Sequence, residues 1–235
     1  MNVMNRNERL SYPLESGRID LQSIMRQVYI WMGLGMMLTA FVAYVTVSTS
    51  LINLATNPVI LVVAVIAEFG LVIGINFAFQ KISSGVAATL FFAYAALNGF
   101  TLSIVLLVFS IESIFVAFAA TAALFGAMSI IGYTTKLDLS KMGTYLMMGV
   151  IGLVIAMVVN MFVNSGPLDT LISMAGVLIF TALTAYDTQH IGRMAAGMSM
   201  NGESEAKFGI FGALKLYLDF INMFLFMLRL LGRRR

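Results

Sequence analysis

The segment that decides the fold is the last apolar run of the chain, which contains KLYLDFINMFLFMLRLLG at residues 215–232. This run is apolar enough to enter a membrane, yet four polar residues recur in it at intervals of three, four or seven positions: Lys215, Asp219, Asn222 and Arg229. In a helix such positions fall on one face. A face of this kind is not stable against lipid tails. The spacing therefore predicts a central helix whose polar face points to other helices or to water.

The composition sets the membrane context for this helix. The chain has 235 residues, of which 60% are hydrophobic and 11% charged, and its mean hydropathy is +0.94. This length holds about seven spans of roughly 20 residues with short connections. We therefore expect an all-α integral membrane protein, with a tail at 1–24 and a single seven-helix domain at 25–235. The absence of cysteine excludes disulfides and thiolate metal sites, and neither a cofactor nor a nucleic-acid partner is expected.

Apolar runs between charged or turn-forming breaks give the individual helices. Seven are predicted, near Met25–Val47, Val59–Phe79, Gly85–Phe109, Ser113–Tyr133, Gly143–Val163, Leu168–Tyr186 and Phe208–Leu231. Lys and Arg in short loops favour the cytoplasmic side. They occur in the N-terminal tail and in alternate loops, at Arg6, Arg9, Arg18, Arg26, Lys81, Lys136, Lys141, Arg193 and Lys207. The pattern predicts a cytoplasmic N-terminus, although a full seventh crossing would leave the three terminal arginines on the far side.

Two aspartates in apolar surroundings are the first candidates for function. Asp187 closes the sixth predicted helix and Asp219 lies in the seventh. Because one helix ends and the other begins on the same side, the two carboxyls can meet there. Two carboxyls in contact in a low dielectric do not both ionise cheaply, so such a pair can share a proton and act as a pH-sensitive latch. The alternative is that each is satisfied separately, Asp219 by Lys215 or Asn222, and Asp187 by the loop or Arg193.

A third intramembrane acid lies in the second predicted helix. Glu68 either faces a hydrated cavity and guides a cation or is protonated and hydrogen-bonded to a neighbouring helix. Tyr94, Asn98 and Thr101 share a face of the third helix and either line that cavity or bond between helices. We take Glu68, Asn98 and Asn222 as a candidate ion pathway. Glu68, Asp187 and Asp219 are the candidates for transient Ca²⁺ contact.

Several strings also resemble a known family. TALTAYDTQHI from Thr181 and LYLDFINMFLFMLRLLG from Leu216 are similar to the sixth- and seventh-helix signatures of the Bax inhibitor-1 family, also called transmembrane Bax inhibitor motif proteins. NGFTLS at 98–103 and GYTTK at 132–136 resemble its bacterial branch. The resemblance extends over most of the chain, from about Val28 onward.

This resemblance implies six helices wrapped around a central seventh and a pH-sensitive calcium leak across a bacterial inner (cell) membrane. It implies that Asp187 and Asp219 hold the pore closed while they share a proton. Some relatives add a basic residue late in the second helix to this latch, whereas residues 76–81 here are NFAFQK, with no basic residue inside the span. A non-enzymatic role is expected, with the lipid bilayer and calcium ions as partners.

Two other functions remain as alternatives. Relatives that restrain another membrane protein, such as a membrane-anchored AAA protease, suggest a non-conducting regulator. An intramembrane aspartyl protease would also pair aspartates on its sixth and seventh helices, one of them in a Tyr-Asp dipeptide like Tyr186-Asp187. Its second motif, Gly-x-Gly-Asp, is replaced here by Leu216-Tyr217-Leu218-Asp219, and the later proline motif is missing.

Overall fold

A computed structural model describes residues 21–78, 81–196 and 202–233. Every regular element in these ranges is a helix: α1 Leu21–Ser48, α2 Ile52–Ala55, α3 Pro58–Ala78, α4 Ser84–Val108, α5 Ile111–Thr134, α6 Met142–Val163, α7 Gly166–Ala196 and α8 Gly202–Leu231. The predicted tail up to residue 20, with three of its arginines, lies outside the described residues. So do Phe79, at the predicted end of the second span, and residues 197–201.

Seven of the eight helices are long and apolar enough to cross a membrane, which confirms the all-α, seven-span prediction. The exception, α2, is a single turn inside the predicted first loop. The helix ends follow local chemistry. Pro58 begins α3, where its missing N–H costs nothing. Ser83 and Ser110 accept a backbone N–H at the starts of α4 and α5.

The predicted ends of the last two spans were wrong on the side where these helices are joined. The sixth predicted helix stops at Tyr186, but α7 continues to Ala196, and α8 begins at Gly202, ahead of the predicted Phe208. The end of an apolar run marks where a helix leaves the hydrocarbon. The helix itself continues for as long as its backbone stays helical. Thr188, Gln189 and Ile191 are polar or isolated in the sequence but are buried against neighbouring helices. Asp187 therefore lies well inside α7 and does not end it.

The helix α8 is the most buried of the seven. Within its apolar window 61% of the residues are buried, against 6% for α6 and 11% for α3. It packs on α1, α4, α5 and α7, while α3 and α6 pack mainly on α4 and α7 respectively. The predicted polar face of α8 runs along α7, where Lys215 meets Asp187 and Phe226 stacks on Phe180. Two of the four polar residues that the sequence places on one face, Lys215 and Arg229, thus contact acids of α7.

The helix α8 runs the whole length of the bundle. Its 30 residues span about 45 Å at 1.5 Å per residue, more than a hydrocarbon core of about 30 Å. Beyond its last turn the N–H of Arg233 donates to Ser113 Oγ at 2.9 Å, and the N–H of Ser110 donates to the carbonyl of Arg233 at 3.4 Å. These contacts fix the end of α8 to the α4–α5 turn. The described part of α8 is thus long and apolar enough for a full seventh crossing.

Candidate functional site

The centre of the candidate site is an ion pair between α7 and α8. Lys215 Nζ donates to Asp187 Oδ1 at 3.1 Å. The aspartate side chain is 10% exposed and the lysine side chain 31% exposed, so one partner is buried and the other reaches the edge of the bundle. Of the partners predicted for Asp187, Arg193 bonds instead to the α5–α6 loop, and residues 197–201 of the loop after α7 lie outside the described residues.

Asp219 lies one helical turn beyond Lys215 on α8 and is 4% exposed. Its Oδ2 is buried without a hydrogen-bond partner. No hydrogen bond joins Asp219 to Asp187 in the described ranges, and Asn222 donates its amide to the carbonyl of Leu218 at 2.8 Å. A single lysine thus lies close to two buried carboxyl groups, only one of which it binds directly.

Two further buried hydroxyls without a hydrogen-bond partner belong to helices that pack against α8. They are Ser129 Oγ on α5 and Thr188 Oγ1 on α7, and each lies on an element that packs against α8. Unsatisfied buried polar atoms are uncommon in folded proteins and call for a specific explanation, such as a hydrated or functional site. Asp219 Oδ2 is thus one of three buried side-chain oxygens that have no hydrogen-bond partner in the described residues.

The Arg193 side chain forms a second ion pair, with a residue of the loop between α5 and α6. It donates to Asp138 and, at 3.0 Å, to Ser140 Oγ, both in the α5–α6 loop. Hydrogen bonds from Ser140 and from Arg193 hold the pKa of Asp138 at about 2. Gln189 binds the same loop twice, donating to the carbonyl of Leu137 and accepting from the N–H of Leu139. We call this set of contacts between α7 and the α5–α6 loop the loop clasp.

Glu68 and Asn98 are joined by a second polar cluster on the other side of α8. Thr101 donates to Glu68 Oε1 at 2.7 Å, and the Asn98 side chain is a further hydrogen-bonding neighbour of that carboxylate. Tyr217 donates to Asn98 Oδ1 at 3.2 Å and lies 2.6 Å from the Thr39 hydroxyl. The cluster links α3, α4, α8 and α1. It brings together two of the three residues of the candidate ion pathway, and Asn222 lies apart from them.

Tyr217 and Thr39 belong to this cluster but were not predicted from the sequence. The signal for Tyr217 was available, because a phenol inside an apolar helix needs a hydrogen-bond partner. Its partners come from α1 and α4, far away in the sequence. Glu68, Asp187 and Asp219 do not converge either, since no group of three or more acids or histidines in the described ranges could hold a metal ion. Any cation at these carboxyls would be contacted by them separately.

The chain is similar to a family model and to proteins of several bacteria. Residues 21–235 match the family described as inhibitor of apoptosis-promoting Bax1. Similar proteins include the inner membrane protein YbhL of Escherichia coli strain K12, 46% identical over 221 residues that cover 93% of this chain and 94% of the relative. A Borreliella burgdorferi protein is 44% identical, covering 90% and 92%. A Deinococcus radiodurans protein is 42% identical, covering 90% of each chain.

The match extends over both aspartate helices and nearly the full length of these relatives. Together with the seven spans, it establishes a multi-pass membrane protein. The chain belongs to the Bax inhibitor-1 family.

Proposed function

We propose that this protein is a pH-sensitive, calcium-permeable leak in a bacterial inner membrane, held closed by Asp187 and Asp219. The observation that carries the proposal is the charge balance between α7 and α8. One lysine binds Asp187 at 3.1 Å, and the buried Oδ2 of Asp219 is left without a partner. An ionised carboxylate buried without a partner costs several kcal/mol. Asp219 therefore carries a proton in the closed arrangement.

Opening follows from the loss of that proton. Two carboxylates then face a single lysine, and two ionised carboxylates in a low dielectric repel each other. Since α7 and α8 hold one acid each, the repulsion acts directly on the contact between the two helices. The latch thus has three members, with Lys215 compensating one acid and a proton compensating the other. This extends the two-residue latch that the family resemblance implies.

The cluster around Glu68 supplies the rest of the proposed pathway. Glu68 lies on the outer helix α3 and is connected through Thr101 and Asn98 to Tyr217 on α8. Carboxylate, amide and hydroxyl oxygens are the ligands that a calcium ion accepts as it loses water. We propose that a cation leaving the latch contacts these oxygens one after another. Ca²⁺ is then transported and is not a resident cofactor.

We propose no catalytic step. An aspartyl protease needs two carboxyls that share one proton and activate water between them. Asp187 is instead bound to a lysine, and no hydrogen bond joins it to Asp219 in the described residues. This charge pattern suits a latch better than a catalytic dyad.

Calcium entry into liposomes that contain the purified protein tests the proposal between pH 6 and pH 8. The wild type should admit several-fold more calcium at pH 8. Asp219→Asn keeps the shape and polarity of the side chain but removes the titration. The flux of this variant should therefore change by less than about twofold over the same range, since a single titrating group accounts for the response.

Asp138→Asn is the matched control, because it removes an acid at the latch end of the bundle. The pKa of Asp138 is lower in the folded protein than in the unfolded chain, where it is near 3.9. Ionised Asp138 therefore stabilises the loop clasp at pH values above about 3.9, and this effect is lost as the pH falls towards 2. Asp138 thus stays ionised from pH 6 to pH 8, and its variant should keep the wild-type pH dependence. An unchanged pH dependence in both Asp187→Asn and Asp219→Asn would rule out the latch.

The second candidate function is a non-conducting regulator of another membrane protein, such as an AAA protease. The family description favours it, because it names an inhibitor. Flux no greater than that of empty liposomes at every pH would overturn the leak proposal in favour of this one. Co-purification of a membrane protease whose activity falls as the dose of this protein rises would then be the supporting result.

A further inference from the structure

A pocket of about 440 Å³ lies at the end of the bundle away from Asp187 and Asp219. It is an open pocket bordered by the end of α6, the start of α7 and the last turns of α8, and its lining includes Asn160, Asn164, Ser165, Asp169 and Arg229. Arg229 is 14 residues beyond Lys215 and 10 beyond Asp219 on α8, so it lies about 21 Å and about 15 Å from them along the helix axis. We call this site the Arg229 pocket. It is separate from every residue of the proposed latch and pathway.

The charges in the Arg229 pocket leave much of their hydrogen-bonding capacity unused. Arg229 Nη1 lies 3.9 Å from Asp169 Oδ1, beyond hydrogen-bond distance, and its other close contact is the sulfur of Met157, also at 3.9 Å. The guanidinium rests over the ring of Phe226, 5.7 Å from its centre, which orients the planar group. A guanidinium presents five N–H donors in a fork that fits phosphate oxygens. Arg229 and Asp169 thus form a loose ion pair that leaves donors and acceptors of both groups without a closer partner among the described residues.

The position of the pocket indicates which kind of ligand it can bind. It lies where α6 ends at Val163 and α7 begins at Gly166, which is the level at which helices leave the hydrocarbon and meet the headgroups. Met161, in the pocket wall, and the adjacent Phe162 are 66% and 77% exposed, so lipid tails reach its rim. A phospholipid phosphate at this level would lie beside Arg229.

The geometry points to a headgroup that carries a phosphate and a primary ammonium group, as in phosphatidylethanolamine. The phosphate would accept hydrogen bonds from Arg229, and the ammonium, joined to it by a short ethylene link, would donate to Asp169. Both charge-assisted contacts use groups that lie within 4 Å of each other. An anionic headgroup offers Asp169 no positive group, and a trimethylated headgroup offers it no N–H donor. The pocket should therefore prefer phosphatidylethanolamine to phosphatidylglycerol and to phosphatidylcholine.

Lipid binding by the purified, full-length protein tests this inference by native mass spectrometry. The three lipids, with matched acyl chains, are titrated separately into the wild type. We expect affinity at least about tenfold higher for phosphatidylethanolamine, from the added ammonium–carboxylate contact. Free phosphoethanolamine in large excess should displace the lipid, whereas inorganic phosphate should not. Tighter binding of free phosphoethanolamine than of the lipid would assign the pocket to a soluble ligand and overturn the lipid proposal.

Variants separate the two contacts. Asp169→Asn should abolish the preference over phosphatidylglycerol, and Arg229→Gln should weaken binding of all three lipids. Glu112→Gln, which changes an exposed acid at the same end of the bundle but outside the pocket, should leave the affinities unchanged. Equal affinity of the wild type for the three lipids would overturn the proposal whether or not the variants fold. So would an unchanged lipid preference in Asp169→Asn.

Discussion

Lys215 is the residue on which the charge balance between α7 and α8 depends. A lysine at this depth costs free energy unless its ammonium group is bound, and it is bound to Asp187 across the helix contact. The same side chain extends from the helix that carries Asp219 one turn further on. Its stem can therefore lie along the helix while its charge stays near both acids. Replacing it should change both stability and gating.

We expect Lys215→Met to destabilise the protein by about 2 kcal/mol. Breaking a fully buried pair by removing one partner costs about 3–5 kcal/mol, and the 31% exposure of the lysine side chain lowers that figure. Thermal unfolding in detergent measures the loss. Asp187→Asn combined with Lys215→Met should cost less than the sum of the single changes, because no unpaired charge is left. Additive costs would show that the pair contributes no coupling energy.

The residues of the site were only partly predictable from the sequence. Three acids could be identified from the sequence, because an acid in an apolar run costs free energy and this is visible without knowing its partner. They are Asp187, Asp219 and Glu68. The partners of these acids can be identified only from the fold. Lys215 binds Asp187 from 28 positions away, and Tyr217 reaches Asn98 across 119 positions. No local pattern encodes such pairs, since they depend on how the helices pack around α8.

At the level of elements, the contact between α5 and α7 is set by a glycine. A Cβ added at Gly132 would lie 2.3 Å from the carbonyl oxygen of Ala185, so the two backbones touch there. Close approach of this kind is how membrane helices gain packing energy without a hydrophobic driving force between them. Ala185 is two residues before Asp187. The glycine thus positions the part of α7 that carries the latch.

Gly132→Ala should therefore separate α5 from α7 and lower stability by about 1–3 kcal/mol, the usual cost of overpacking. Gly126→Ala on the same helix is the matched control, because a Cβ there meets nothing within 4 Å. The control should be neutral or stabilising by up to about 1 kcal/mol, from the better helix propensity of alanine. Thermal unfolding of both variants in detergent compares them. Similar losses in the two would mean that the contact at Gly132 is not a packing constraint.

The helix extensions explain why the sequence located the spans more accurately than their ends. Apolar runs identify the spans because hydrocarbon excludes charge over about 20 residues. Beyond Tyr186 the chain turns polar, yet α7 continues for ten more residues to Ala196. Gln189 and Arg193 in this extension bind the α5–α6 loop, and those bonds are tertiary. The end of α7 is thus set by contacts that hydropathy does not describe.

At the scale of the whole molecule, the polar features divide between two ends. The latch and the loop clasp lie towards the end that holds the α5–α6 loop, and the Arg229 pocket lies at the other. The end of α8 is fixed at this second end by hydrogen bonds to the α4–α5 turn. Arg229, in the proposed lipid site, is therefore about 15 Å from Asp219 and about 21 Å from Lys215 along α8. Lipid bound at the pocket would contact the same helix that carries Asp219.

Single introduced cysteines test this arrangement without interference, because the chain has none of its own. In intact cells, Lys141→Cys should be protected from a thiol reagent that does not cross the membrane, since basic loops favour the cytoplasm. Glu112→Cys and Arg233→Cys should both react, because the end of α8 is bonded to the α4–α5 turn. Labelling of Lys141→Cys and Arg233→Cys from the same side would contradict a full crossing by α8. In that case Arg229 and Asp219 could not lie in opposite halves of one spanning helix. The positions of the Arg229 pocket and of the proposed latch in the membrane would then have to be reassigned.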